Sequence, residues 1–270
     1  MTRQPGAAEI VVADCSPEDP TAELQARFPG VRVMHVPEKL TVPALRWRAV
    51  ALTTGSLVAA IEGRSVPSGT WCAEIAAAHA RAPQAPAVGG PVVLKPGGSA
   101  FDWGLYFSEF AAFAPPLPEG PSPQLSGANL SYKRAALDGS RDLMDRGLWE
   151  AALHERWRAR GEPLWLSGAH VVFHNGMTGG DAMRMRFHYG RSYAADRFRD
   201  GSRFVALGYA LLAPALPALL TARAAGHGAR ARLLPGFLRG LPWLLALNTA
   251  WACGEMTGYL FGRAADPEIF

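Results

Sequence analysis

Lysine is nearly absent from this 270-residue sequence: only Lys39, Lys95 and Lys133 occur, and every other basic side chain apart from histidine is an arginine. Cysteine is scarce as well. Cys15, Cys72 and Cys253 lie far apart with no C-x-x-C pair, which excludes a disulfide framework or a cysteine zinc site and predicts a reducing compartment. The 29 glycines follow no three-residue period and there are 22 prolines, which excludes collagen and coiled coil, and there is no internal repeat. The opening MTRQPGAAEIVVAD holds no apolar run long enough for a signal peptide, which predicts a catalytic part on the cytoplasmic side. Charged residues make up 19 % and hydrophobic residues 49 %, a balance that excludes intrinsic disorder. The net charge of +4 is mild, and the first third lacks a basic stripe with interleaved aromatics, which argues against nucleic acid as a partner.

What is present divides into three zones, 1–95, 96–200 and 201–270. In the first, short apolar runs alternate with helical spacing. Glu9 to Ala13, Val31 to Val36, Leu57 to Ile61 and Ala87 to Leu94 read as strands. Thr21 to Phe28, Pro43 to Thr54 and Trp71 to Ala82 read as helices. Such alternation predicts an α/β fold with a mostly parallel sheet and helices on both faces, whose ligands bind at the carboxyl ends of strands. Asp14 and Glu62 fall at such ends. In the second zone, Pro115 to Pro123 reads as a loop, Leu148 to Arg160 as a helix closed by Gly161, and Trp165 to Phe173 as a strand.

The third zone is apolar. Phe204 to Ala222 runs 19 residues without a charge, and Leu241 to Phe261 runs 21 with one, Glu255. Each is long enough for a bilayer core of ~30 Å. Arg184, Arg186, Arg191, Arg197, Arg199 and Arg203 precede the first segment, while Arg223, Arg230, Arg232 and Arg239 follow it. Two topologies stay open: two spans, or a re-entrant or interfacial helical hairpin that keeps every arginine on the cytoplasmic side. Either one predicts a cell-membrane location.

Four segments carry the chemistry. Residues 11–21 (VVADCSPEDPT) place Asp14 and Ser16 at a strand end, where an Asp accepts from a base N–H or a ribose hydroxyl; taken alone, Asp14 equally fits an Asx-type turn. Residues 46–64 (RWRAVALTTGSLVAAIEGR) set Arg46, Gly55, Val58, Glu62 and Arg64 in order. Residues 125–134 (LSGANLSYKR) contain Gly127, Ala128 and Asn129. Residues 148–161 (LWEAALHERWRARG) open a helix with Glu150, and Leu153 and Arg156 follow.

Together these segments, over residues 9–195, resemble glycosyltransferase family 2, inverting enzymes of the GT-A fold. The family's strand-end V-D-D-G-S-x-D is similar to the stretch within residues 11–21 that holds Asp14 and Ser16, its R-N-x-G…D-x-D stretch to residues 46–64, its G-A-N-M-x-x-R-R to residues 127–134, and its E-D-x-x-L-x-x-R-L-x-x-x-G helix to residues 149–161. The resemblance implies a nucleotide-sugar donor held by Asp14, Ser16, Arg46, Glu62 and Arg64, with sugar or acceptor contacts from Gly127, Ala128 and Asn129. It implies Glu150 as the general base that takes the acceptor hydroxyl's proton. The family's Asp-x-Asp binds a divalent metal, Mn²⁺ or Mg²⁺, and here its two acidic positions are Glu62 and Arg64. Either Glu62 holds the metal with help from another ligand such as His174, or Arg64 supplies positive charge to the diphosphate directly. The family also begins with a further strand and helix ahead of the position of Val11, which this sequence leaves no room for. The implied function is transfer of a sugar to a lipid-linked or cell-envelope glycan acceptor. The alternative is a non-catalytic relative that binds a glycan or a partner at the membrane.

Overall fold

The structure, a computed structural model, describes residues 9–198 and 202–262, and these separate into two compact units. The first takes in residues 9–93 and 117–173; the second takes in 94–116 and 174–262. The zone expected over 96–200 is thus shared between them.

In the first unit the chain opens with strand β1 (Ile10–Asp14), helix α1 (Thr21–Arg27), strand β2 (Val31–His35) and helix α2 (Val42–Val50). α2 starts where its sequence says it should: the Thr41 side chain accepts from the Ala44 amide and Pro43 sits in the first turn. Strands β3 (Leu57–Ile61) and β4 (Ser65–Pro67), helix α3 (Trp71–Arg81) and strands β5 (Ala87–Gly89) and β6 (Val92–Leu94) follow. In the second unit comes helix α4 (Ala100–Phe110), fixed at its start by a reciprocal Ser99–Asp102 capping box. The chain then returns to the first unit through β7 (Gly120–Ser122), β8 (Asn129–Lys133), helices α5 (Arg134–Asp138), α6 (Arg141–Asp145) and α7 (Glu150–Ala159), and strands β9 (Leu164–Leu166) and β10 (Val171–Phe173). It ends in the second unit with α8 (Gly179–Arg197), α9 (Arg203–Leu212), a 3-10 turn at Ala213–Ala215, α10 (Leu216–Arg230) and α11 (Leu234–Phe261).

The fold class is α/β, but the sheets are mixed and not mostly parallel as expected. The main sheet runs β3-β8-β5-β9-β7, and only β5 and β9 are parallel; the other three pairings are antiparallel. β1 and β2 form their own two-stranded parallel sheet, and β4-β10-β6 form a third. Two local readings change with this. The run from Trp165 to Phe173 is two short strands in different sheets, and β7 lies inside the proline-rich stretch read as loop. The core beneath the main sheet gathers Trp47, Leu130, Tyr132, Leu153 and Trp157 against Leu164, so α2 and α7 share one apolar layer.

In the second unit α11 is the inner helix. Its buried residues run from Gly236 to Tyr259, and it packs on α8 and α4. The α8–α11 crossing is close because it is glycine on glycine-sized ground. A Cβ on Gly254 would stand 1.9 Å from the Phe187 carbonyl oxygen, and one on Gly190 would stand 2.4 Å from that of Trp251. The buried Glu255 is satisfied along its own helix, accepting from the Trp251 indole and, at 2.8 Å, from the Tyr259 hydroxyl. The Arg186 guanidinium of α8 lies 4.4 Å from the Trp251 ring centroid. Among the described residues one helix, Arg203–Arg230, is long and apolar enough to cross a membrane, and 17 % of its most apolar stretch is buried. The second apolar segment, Leu241–Phe261, lies within α11, which buries one side and leaves Leu245, Met256, Leu260 and Phe261 exposed on the other.

Candidate functional site

Three of the sequence segments meet in the first unit. Arg46, in the middle of α2, donates from Nη1 to Glu150 Oε2 at 3.1 Å, across 104 positions of sequence. Its Nη2 donates to the Gly127 carbonyl at 3.4 Å. Both side chains of the ion pair are mostly enclosed, with 11 % of Arg46 and 14 % of Glu150 exposed. The other carboxylate oxygen, Oε1, lies over Gly127: a Cβ built there would stand 2.0 Å from it. Gly127 is therefore a seat for the Glu150 carboxylate, and any side chain at that position takes its place.

Each element has a local reason to be there. Trp47, next to Arg46, turns its indole the other way and donates to the Leu148 carbonyl at 3.0 Å, which ties α2 to the segment that opens α7. Glu150 occupies the first turn of α7, where a carboxylate is favoured by the helix dipole. Gly127 and Ala128 form the turn before β8, braced by the Asn129 amide donating to the Ser126 carbonyl. The antiparallel register pairs Ile61 with Asn129, so Glu62 and Arg64 leave the sheet at the same end as Gly127 and Ala128.

Asn129 does not play the part expected of it. It is fully buried, and its amide is spent inside the fold: Nδ2 donates to the Pro91 and Ala169 carbonyls at 2.9 and 2.8 Å, and Oδ1 accepts from the Trp71 indole at 2.9 Å. With both donors used, it clamps β8 to the β5–β6 and β9–β10 turns and has no N–H left for a sugar hydroxyl. Ala128 is buried too, with its amide donating to Ser126 Oγ at 3.3 Å. Arg156, also matched by motif, makes a two-pronged pair with Asp142 at 2.5 and 2.6 Å on the surface of α7.

Glu62 and Arg64 face one another at 3.6 Å, and the Arg64 guanidinium lies 5.1 Å from the Phe173 ring centroid. Phe173, the residue before His174, pairs with Ser65, the residue after Arg64. Among the described residues no three His, Cys, Asp or Glu side chains gather as a metal site. The donor set at Glu62 is one carboxylate already facing a guanidinium, which does not fit a divalent cation that wants several hard oxygen ligands. No step is assigned to a metal here.

Asp14 and Ser16 form a second cluster at the ends of β1 and β2. Asp14 Oδ2 accepts from the Ser16 amide at 3.1 Å, from Ser16 Oγ at 2.8 Å and from His35 Nδ1 at 2.9 Å. Burial pushes the Asp14 carboxyl up, but these hydrogen bonds from Ser16 and His35 together outweigh it and hold the group below its usual range. The Asx-type turn and the strand-end acid are therefore the same object. His35 was not singled out by sequence. Its signal is the parallel register, which pairs it with Asp14 at the last position of both strands.

Under the Arg46–Glu150 pair lies an aromatic floor that sequence reasoning also missed. Tyr132 and His154 are buried, their ring centroids 6.5 Å apart, and Tyr132 is 5.9 Å from Trp157. Burial, with the Glu150 charge adding to it and Arg46 opposing, pushes the Tyr132 hydroxyl well above its usual value. Burial pushes the His154 imidazole down to about 4, against the pull of the Glu150 carboxylate and with Arg158 helping. A histidine whose folded value lies below its unfolded ~6.5 stabilises the fold while both states are neutral. That contribution is lost as pH falls through the window from ~6.5 to 4, where only the unfolded chain takes up the proton, and it amounts to about 3 kcal/mol. Urea unfolding at pH 7.5 and 4.5 is expected to show a smaller pH-dependent loss in His154→Gln than in the parent chain; equal losses would refute it.

Compared with family models and with curated proteins, this chain matches none.

Proposed function

We propose that the chain is an inverting glycosyltransferase that moves a sugar from a nucleotide-sugar donor to a lipid-linked or cell-envelope glycan acceptor, at the cytoplasmic face of the cell membrane. The observation that carries the reading is the meeting of Arg46, Gly127 and Glu150, which come from three of the segments that resemble the family's motifs. In this reading Glu150 takes the proton of the acceptor hydroxyl. The freed oxygen attacks the anomeric carbon, and the nucleoside diphosphate leaves with the bonding electron pair. Arg46 keeps the carboxylate aimed by holding Oε2, which leaves the Oε1 side toward the acceptor. Arg64 balances the diphosphate charge in place of a divalent metal, since a planar guanidinium pairs well with phosphate oxygens. Asp14, positioned by His35 and Ser16, receives the ribose or base of the donor.

The test uses the tryptophans as reporters, because Trp47 and Trp149 adjoin Arg46 and Glu150. Full-length chain in detergent is titrated with UDP, GDP and their sugars, with Mn²⁺ and with chelator. Saturable quenching by one nucleotide that survives the chelator is the expected result. Quenching that needs metal overturns the role given to Arg64. No saturation with any nucleotide overturns the donor site and leaves the non-catalytic glycan- or partner-binding alternative.

A further inference from the structure

The second unit is built inside out along its last three helices. α9 turns Ala206 and Ala210 inward and leaves Phe204 88 %, Leu211 75 % and Leu212 66 % exposed. A helix docked on a water-facing domain does the reverse, hiding its largest apolar side chains. The outward side of α11 repeats the pattern, with Leu238, Leu245, Met256 and Leu260 exposed at helical spacing and no charge among them. All but two of the exposed large hydrophobic side chains among the described residues, Leu52 and Val66, belong to this unit. A patch this extended marks an interaction surface.

Charge says what covers it. From Ser202 to Gly262 the basic side chains are Arg203, Arg223, Arg230, Arg232, Arg239 and His227, and the sole acid, Glu255, is buried. The surface is apolar with a cationic rim, complementary to hydrocarbon bounded by anionic headgroups. The packing says how it lies. α8 covers one side of α11 and keeps Asp181, Arg184 and Arg197 exposed from its first turn to its last, so the unit turns the outer face of α8 to water. Arginines stand at both ends of the apolar stretch, and a crossing would carry one set to the far side, against the positive-inside bias. The stretch is also broken by the 3-10 turn at Ala213–Ala215, with Pro214 and Pro217 in or beside it.

We propose that α9, α10 and the outward stripe of α11 form an in-plane membrane module that enters one leaflet of an anionic bilayer without crossing it. This rests on the membrane reading above and adds to it a geometry and a lipid class.

The test adds full-length chain in detergent to preformed phosphatidylcholine vesicles, with or without phosphatidylglycerol, removes the detergent and floats the vesicles. Flotation is expected with phosphatidylglycerol and is expected to fall on the order of a hundredfold when Arg223, Arg230 and Arg232 are changed to Gln, at about fivefold per arginine. Equal flotation on phosphatidylcholine alone overturns the lipid class. Topology is read with a membrane-impermeant maleimide. In a background where Cys15, Cys72 and Cys253 are Ser, Ser202→Cys and Ala229→Cys are both expected to label from outside. Labelling of one only after the vesicles are dissolved means a span, which overturns the in-plane geometry and spares membrane attachment. In the unsubstituted chain, Cys253 on the outward stripe is exposed in the protein alone and is expected to be shielded while vesicles are present; unchanged labelling overturns the proposal. Failure to float with either vesicle, with a stable dimer in solution, overturns both the proposal and the membrane reading and assigns the face to a second copy of this chain.

Discussion

Gly127→Ala is expected to lower sugar transfer about a hundredfold or more while leaving the unfolding midpoint nearly where it was. The added methyl would stand 2.0 Å from Glu150 Oε1 and 3.0 Å from its Cδ, so the carboxylate must swing aside. The fold tolerates that, because the displaced atoms are the tip of a flexible side chain and the backbone at Gly127 is not among the left-handed glycines. Chemistry does not tolerate it: a misplacement of about 1 Å at a reacting group costs on the order of a hundredfold. The check is transfer rate beside thermal denaturation of the same preparation. A variant with full activity removes the seat from the mechanism, and a variant that fails to fold shows that Gly127 serves the β8 turn instead.

Glu150→Gln carries the larger loss, on the order of a hundredfold to ten-thousandfold in rate, the span that a single general base contributes. Gln keeps the shape and can still accept from Arg46, but it cannot take a proton. Arg46 is then left facing a neutral partner in a mostly enclosed place, and a broken buried pair costs about 3–5 kcal/mol at the extreme. Two readouts therefore separate two roles. If Glu150 only anchors α7 to α2, Gln lowers stability and leaves the rate per folded molecule unchanged. If it is the base, nucleotide binding persists in the folded fraction and transfer is gone. Activity retained per folded molecule would falsify the assignment.

Much of the first unit was legible because its signals are local. Leu57 to Ile61 is an apolar run between turn residues, and it forms β3 with the same bounds. Trp71 to Ala82 differs from α3 by one residue at the end. What was illegible depends on pairing. In the stretch from Trp165 to Phe173 the Ser167-Gly168 pair is a turn signal, but nothing says that it carries the chain from one sheet into another, since both halves are apolar and short. Strand direction was inferred from alternation with helices, and that inference fails where β8, arriving after a long excursion, inserts antiparallel between β3 and β5. α4 and α8 were missed although Ser99 and Asp102 spell a capping box and Thr178 caps α8.

The site divides in the same way. The resemblance to the family's motifs singled out Arg46, Gly127 and Glu150, and the structure brings them into contact. Sequence could not say that Asn129 faces inward, because an Asn after a Gly-Ala turn reads the same whether its amide meets a ligand or three buried partners. His35 and His154 were invisible for the opposite reason: each is a lone histidine until its neighbour across a strand pair or beneath an ion pair is known.

The two-stranded sheet of β1 and β2 has a consequence for how tightly a donor can be held. It shares no ladder with the main sheet, none of its β1 residues is fully buried, and α1 beside it buries none. Two strands alone are marginal in water, so this corner opens and closes at a free-energy cost well below that of unfolding the whole unit. Glu9 accepts from the Thr54 amide and hydroxyl at 2.7 and 2.6 Å and Arg32 donates to the Leu52 carbonyl at 2.7 Å, and these moor the corner to the segment ahead of β3. On the proposed reading, a nucleotide seated on Asp14 would first have to quiet that motion, and part of its intrinsic affinity would be spent doing so. On the proposed reading, occupancy of the donor end and rigidity of the corner would be one equilibrium, and whatever stiffens β1 would act on the donor as a remote activator.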